Sequence, residues 1–232
     1  MSPELYFAVM LITNPQKARR ILLAEELENW FMDLFDDEYE DILEGTFKDN
    51  QELYIDRIID KYLEITDVKM TDKDDYSVSV IEKAVKTASE IQETTWNHIV
   101  TIPLSVSVDN PFPEDELAEF IRSGIAIGTA MFALDNVKRW LSSNRANLIA
   151  LNEANWKWNN EEFFDALDGN KTKIWHTALD ERVRETHAKL EGVEIPINED
   201  FNVGGYPAKM PLDWRLPVHE TANCRCTLEY RK

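Results

Sequence analysis

Cysteine is almost missing from this chain: its two thiols both lie in Cys224-Arg-Cys226, within 232 residues. A disulfide framework needs more than one pair, and a bridge across a single intervening residue would be strained, so a reducing compartment is expected. Long apolar runs are missing too. The most apolar stretch, Ile125 to Leu134, is too short to cross a bilayer and is flanked by Arg122 and Asp135, so no membrane association is expected. No secretory leader is expected either. Glu4 precedes the short apolar run Leu5 to Ile12, and no small-residue cleavage site follows it closely. Internal repeats and low-complexity segments are absent.

Positive charge is scarce. Lys and Arg number 25 against 44 Asp and Glu, a formal net charge of -19. The deficit is uneven: residues 1–75 hold 8 cations and 20 acids, residues 76–170 hold 7 and 14, and residues 171–232 hold 10 of each. So acidic a surface over the first 170 residues repels phosphate backbones and argues against nonspecific nucleic-acid binding there. Acidic helices suit a basic protein surface, or simple solubility.

At 27.0 kDa and 44% hydrophobic, the chain has the material for one large domain or two small ones. Residues 1–13 are apolar and end at the turn signal Asn14-Pro15, which suggests a short docking helix. From Lys17 to Leu43 apolar residues recur at three and four (Leu23, Leu27, Trp30 or Phe31, Leu34), the mark of an amphipathic helix that Gly45 ends. Gln51 to Ile65 repeats the pattern, Asp67 to Asp75 reads as a charged loop, and Ser77 to Ile102 is helical again. Asp109-Asn-Pro-Phe-Pro113 is a break, because two prolines bracket one residue. Glu114 to Trp140 and Arg145 to Trp158 follow as helices, with Asn160 capping a short helix that ends near Gly169. Trp156 and Trp158, two apart, point in different directions, so one of them is expected to face a partner. The tryptophans as a class read as core or interface anchors.

The last sixty residues carry the specific pattern. After the Gly169-Asn170 turn signal, Lys173 to His176 suits a strand. Thr177-Ala-Leu-Asp180 has the form of a capping box, opening a helix that would run to Leu190 and stop at Gly192. Leu179, Val183, His187 and Leu190 would then share a face, and Asp180 and Arg184 would pair at i, i+4. Val193 to Ile197 and Cys224 to Tyr230 look like strands. Asn202 to Pro217 reads as an irregular loop held by its own side chains or by a partner. The fold class is therefore α+β: an acidic helical region over residues 1–168, as a bundle or an extended arm, then a small α+β domain over 169–232.

This ending resembles the C-terminal domain of the phage Mu protein F-like minor head proteins, the phage head morphogenesis family. The residues that carry the likeness are Trp175, Thr177, Asp180, Arg182, Val183, Arg184, His187, Leu190, Gly192, Pro211, Asp213, Glu220, Asn223, Cys224, Arg225 and Cys226. A Thr-Glu pair expected on an upstream helix is represented only by Glu153, in Ile149-Ala-Leu-Asn-Glu153. The resemblance covers roughly the last third of the chain. It implies a virion component at the head interior or portal vertex, assembled in the bacterial cytoplasm. Its partners would be the portal protein or the major capsid protein, and packaged DNA through the C-terminal domain. It would assist head morphogenesis, DNA packaging or delivery by binding, without catalysis.

Three constellations compete with that reading. His187, His219, Cys224 and Cys226 match a tetrahedral zinc inventory, though Cys-x-Cys is unusual spacing, and the preferred reading is a packed histidine beside two space-filling thiols with no cofactor. His187 with Glu220, Arg184 and Asp180 has the equipment of a metal-independent nuclease of the toxin kind, to which the family's domain has been compared. Against it, His187 falls on the apolar helix face and Asp180 serves as cap. Arg182, Arg184, Arg215 and Arg225 can reach DNA phosphates, but are expected to pair with Glu181, Glu185 and Glu220.

Overall fold

The structure, a computed structural model, describes residues 15–44, 46–108 and 137–232. The expectations for residues 1–13, the turn at Asn14, Gly45, the Asp109–Pro113 break and the apolar run Ile125–Leu134 lie outside the described residues. So does all of the Glu114–Trp140 helix except 137–140, which are helical.

Four long helices come first among the described residues: α1 Pro15–Glu44, α2 Phe47–Thr66, α3 Asp75–Val108 and α4 Ser143–Ala166. Helix α1 lies along α4, and α2 along α3. The stripe read from the sequence is the one that is buried: Leu27, Phe31 and Leu34 of α1 meet Tyr54, Ile58 and Tyr62 of α2 and Val80, Ala84 and Ala88 of α3 in one core. Asp74 starts α3 by accepting the Ser77 amide at 2.9 Å, the usual way to satisfy a free N-terminal donor. On α4 the buried alanines 146, 150 and 154 repeat every four residues, so the small face admits α1 closely.

Helix α4 runs through Asn160 without interruption, so Asn160 is not a cap. It is buried in mid-helix, where its Oδ1 accepts from the Ser79 hydroxyl at 3.0 Å. A good capping residue at the wrong place satisfies itself across the helix interface instead. Trp156 is fully buried against Tyr62, while Trp158 is partly exposed under the Arg20 guanidinium.

The C-terminal part adds a three-stranded antiparallel sheet in the order β2-β1-β5, with β1 Thr172–His176 central, β2 Glu194–Pro196 and β5 Thr227–Arg231. Lys173 stands opposite Ile195 on one side and Tyr230 on the other. A separate hairpin pairs β3 Phe201–Val203 with β4 Tyr206–Ala208. Single-turn helices α5 Glu185–Ala188 and α6 Val218–Thr221 complete it. Two expectations need correction. The stretch Asn202–Pro217 contains that hairpin. Its turn, Gly204-Gly205, has positive φ at both residues, as a two-residue hairpin favours. And the capping box opens no long helix: residues 177–184 are irregular with a turn at 181–182, Leu179 sits at φ +55° and is exposed, and only Glu185–Ala188 is helical. The Thr177 hydroxyl donates to Glu191 Oε2 at 2.7 Å, and Asp180 is held by Arg225. Both capping side chains are committed to distant partners.

Candidate functional site

The family-pattern residues gather around one buried imidazole. His187 is on α5, 2% exposed, with its ring edge-on to the fully buried Trp175 of β1 at 5.7 Å between centroids. Trp175 in turn packs edge-on against Phe201 of β3. His187 Nδ1 faces both thiols, 3.4 Å from Cys226 Sγ and 3.7 Å from Cys224 Sγ. The other ring nitrogen, Nε2, lies 3.1 Å from Glu220 Oε2 on α6, though its N–H is not aligned for a hydrogen bond. Glu220 is buried as well, and its Oε2 accepts from the Thr186 hydroxyl at 2.8 Å.

Cys224 and Cys226 alternate inward with Arg225 outward, the geometry of an extended segment running into β5. Asn223 precedes them at φ +56°, a left-handed conformation that asparagine tolerates better than most residues. Two helical asparagines then pin the segment. Asn155 Nδ2 donates to the Cys224 carbonyl at 2.9 Å, and Asn159 Nδ2 to the Cys226 carbonyl at 3.3 Å. Spaced by one helical turn on α4, they are buried residues of modest helix propensity. No motif in the sequence marks Asn155 and Asn159. Their one signal is a pair of poor helix formers at i, i+4 inside a helix.

The two thiols differ electrostatically. The Cys224 thiol is held well below its usual range, first by a hydrogen bond from Cys226 and then by His187, against the opposing effect of burial. Cys226 is pushed up by that same bond and by burial.

The remaining pattern residues hold the frame. Asp180 receives a two-pronged contact from Arg225, at 2.7 Å for Nη2 to Oδ1, and its carboxyl is kept below the usual carboxylate range by it. Arg182 reaches the same carboxylate at 3.6 Å. Arg184 donates to the Ala222 carbonyl, not to Asp180. Arg215 is paired with Asp213 and Asp200. The arginines are paired as expected, but with aspartates 180, 200 and 213 and a backbone oxygen, not with Glu181, Glu185 or Glu220. Asp213 also accepts the amides of Lys209 and Arg215, so it folds the loop after the hairpin, beside the buried Pro211. Gly192 has φ +71°, and its amide returns to the Trp175 carbonyl at 2.9 Å. Glu153 of α4 forms a buried ion pair with Lys83 at 3.0 Å. His219 is exposed and packs on the Tyr206 ring, away from the thiols.

The proposed sets are thus partly assembled. His187, Cys224 and Cys226 come together, with ligand atoms all within 4.8 Å, and His219 stays out. His187 and Glu220 come together, while Arg184 and Asp180 each point elsewhere. His187 and Glu220 are both buried.

Comparison with known proteins finds the family model described as "Phage Mu protein F like protein" over residues 114–229, half of the chain and further upstream than the last third that carries the motif. The chain is 38% identical over 58 residues to "NAD(+)--arginine ADP-ribosyltransferase EFV" of Enterococcus faecalis, which is 25% of this chain and 12% of that protein. It is 39% identical over 62 residues to "Minor head protein GP7" of Bacillus phage SPP1, 26% of this chain and 20% of that one. It is 23% identical over 222 residues to "Uncharacterized protein YqbB" of Bacillus subtilis, 93% of this chain and 68% of that one. The chain therefore spans only 12% and 20% of the first two of these relatives. No solved structure matches it. A family match over half the length, which takes in the Trp175–His187–Cys-x-Cys cluster and the helix that pins it, shows that the chain belongs to the Phage Mu protein F like family.

Proposed function

We propose that this chain is a minor head protein of a phage, acting at the portal or the inner capsid wall and working by binding. The observation that carries the reading is the family match over residues 114–229, joined by the likeness to the SPP1 minor head protein. The structure supports binding over chemistry in a specific way. The imidazole–carboxylate pair of the motif is buried, and the arginines of the motif are engaged by aspartates or, for Arg184, by the Ala222 carbonyl. The likeness to an ADP-ribosyltransferase covers a small part of that enzyme and fits a module shared between proteins of different activity. The acidic helices supply the docking face, toward a basic patch on the portal or capsid protein.

The reading is tested by placing an early stop codon in this gene in a phage that carries it. Expected are particles with heads that are misassembled, or that package or deliver DNA poorly, with full rescue by the wild-type gene. Normal heads and normal infectivity would refute the role. Metal-independent degradation of RNA or DNA by the purified chain, lost in His187→Ala, would favour the nuclease reading.

A further inference from the structure

We infer that His187, Cys224 and Cys226 form a binding site for a zinc-class divalent cation, with Glu220 positioning the histidine. This goes beyond the proposed function and stands or falls separately from it.

Three observations converge. The first is distance. A tetrahedral zinc with sulfur at about 2.3 Å and imidazole nitrogen at about 2.0–2.1 Å holds its ligand atoms about 3.5–3.8 Å apart. His187 Nδ1 lies 3.4 Å from one sulfur and 3.7 Å from the other. The second is charge. Two thiolates with one divalent cation and a neutral imidazole sum to zero, the condition that full burial of all three side chains favours. The third is the outer carboxylate. In histidine-ligated sites the far ring nitrogen characteristically faces a carboxylate that fixes the tautomer. Glu220 stands there, 3.1 Å from a buried Nε2 that otherwise has no partner. With the proton on Nε2 beside this carboxylate, close though not aligned as a hydrogen bond, the Nδ1 lone pair faces the thiols. Gly204 makes room for this carboxylate: a Cβ on Gly204 would run into the Glu220 side chain.

The fourth position opens on a small cavity of about 10 Å3 beside Arg182, Arg184 and Asn223, the size of one water. Binding displaces the thiol protons of Cys224 and Cys226 to solvent and leaves both sulfurs as thiolates.

The test uses the full chain purified without chelator from cells grown with zinc. Plasma mass spectrometry is expected to give one zinc per chain, and chelation to lower the melting temperature. Cobalt(II) in place of zinc is expected to show a thiolate-to-metal charge-transfer band. Cys224→Ser and Cys226→Ser should each weaken zinc binding by more than about tenfold, and Glu220→Gln by about ten- to a hundredfold. His219→Ala should leave binding unchanged. Should a cysteine variant fail to fold, the cobalt spectrum of the wild type decides. A wild type with no stoichiometric zinc, two freely titrating thiols and no charge-transfer band overturns the site. Zinc lost in His219→Ala but kept in Cys226→Ser overturns the ligand set.

Discussion

The long helices and the C-terminal sheet region solve the same problem in different ways. In α1 to α4 the core is a continuous apolar seam, and the polar groups inside it answer one another side chain to side chain: Lys83 with Glu153, Gln92 with Glu38. In residues 172–231 the strands are three to five residues long and the seam is short. Side chains there hold backbone: Asn155 and Asn159 on the Cys-x-Cys carbonyls, Asp213 on two amides, Glu191 on Thr177, Lys173 on the Lys209 carbonyl. The helical part is built by periodicity and the terminal part by individual contacts. The charge split follows the same line, since an amphipathic helix has a whole face free to be acidic, whereas in the terminal part Asp180, Asp200 and Asp213 are matched by Arg225 and Arg215.

That comparison can be broken or sharpened by mutation. The largest effect is expected at Trp175, where Trp175→Ala removes the anchor between His187 and Phe201 and should cost about 3–5 kcal/mol in a denaturant titration. In the helical part, Lys83→Met alone strands Glu153 and should cost about 3–5 kcal/mol, while Lys83→Met with Glu153→Leu should recover most of it. A double variant as unstable as the single one would show that the pair is not an isolated side-chain contact. Next comes Asn155→Ala, which leaves the Cys224 carbonyl without its donor and should cost about 1–3 kcal/mol.

Two pH effects are smaller and of opposite sign. Burial lowers Lys173 from 10.5 to about 8. Between those values the unfolded chain holds more protons than the folded one, so this group makes stability rise with pH across that window. Lys173→Met should flatten the rise. Burial raises Glu38 from 4.5 to about 7, against the hydrogen bond from Gln92. The folded chain then binds more protons between those values, so its contribution is present below about 4.5 and is lost as pH climbs through about 7. Glu38→Gln should remove that loss, read from melting temperatures over the same range. The smallest effect is expected from Arg225→Ala, whose partner Asp180 is solvent-exposed.

The same contrast decides what was legible. Helices α1 to α3 follow from spacing alone, because Leu27, Phe31 and Leu34 repeat at the helical period and are buried at it. The strands at Thr172 and Glu194 follow from their turn signals. The helix expected after Thr177 does not form, because Thr177 and Asp180 found better partners in Glu191 and Arg225, each far away in sequence. A local pattern cannot show a distant competitor. The same blindness hid Asn155, Asn159 and Glu191, whose roles exist only once α4 and β5 are side by side. In the candidate site, the residue types were visible and the grouping was not: His219 matches the inventory, but it packs on Tyr206 outside the cluster, while its neighbour Glu220 turns inward to His187.

The measurement that tests the central claim most directly is cross-linking mass spectrometry on intact particles. The account predicts a few copies of this chain per particle, linked through the acidic helices to the portal or the capsid protein. A chain absent from particles, found free in the cell or secreted, would contradict it.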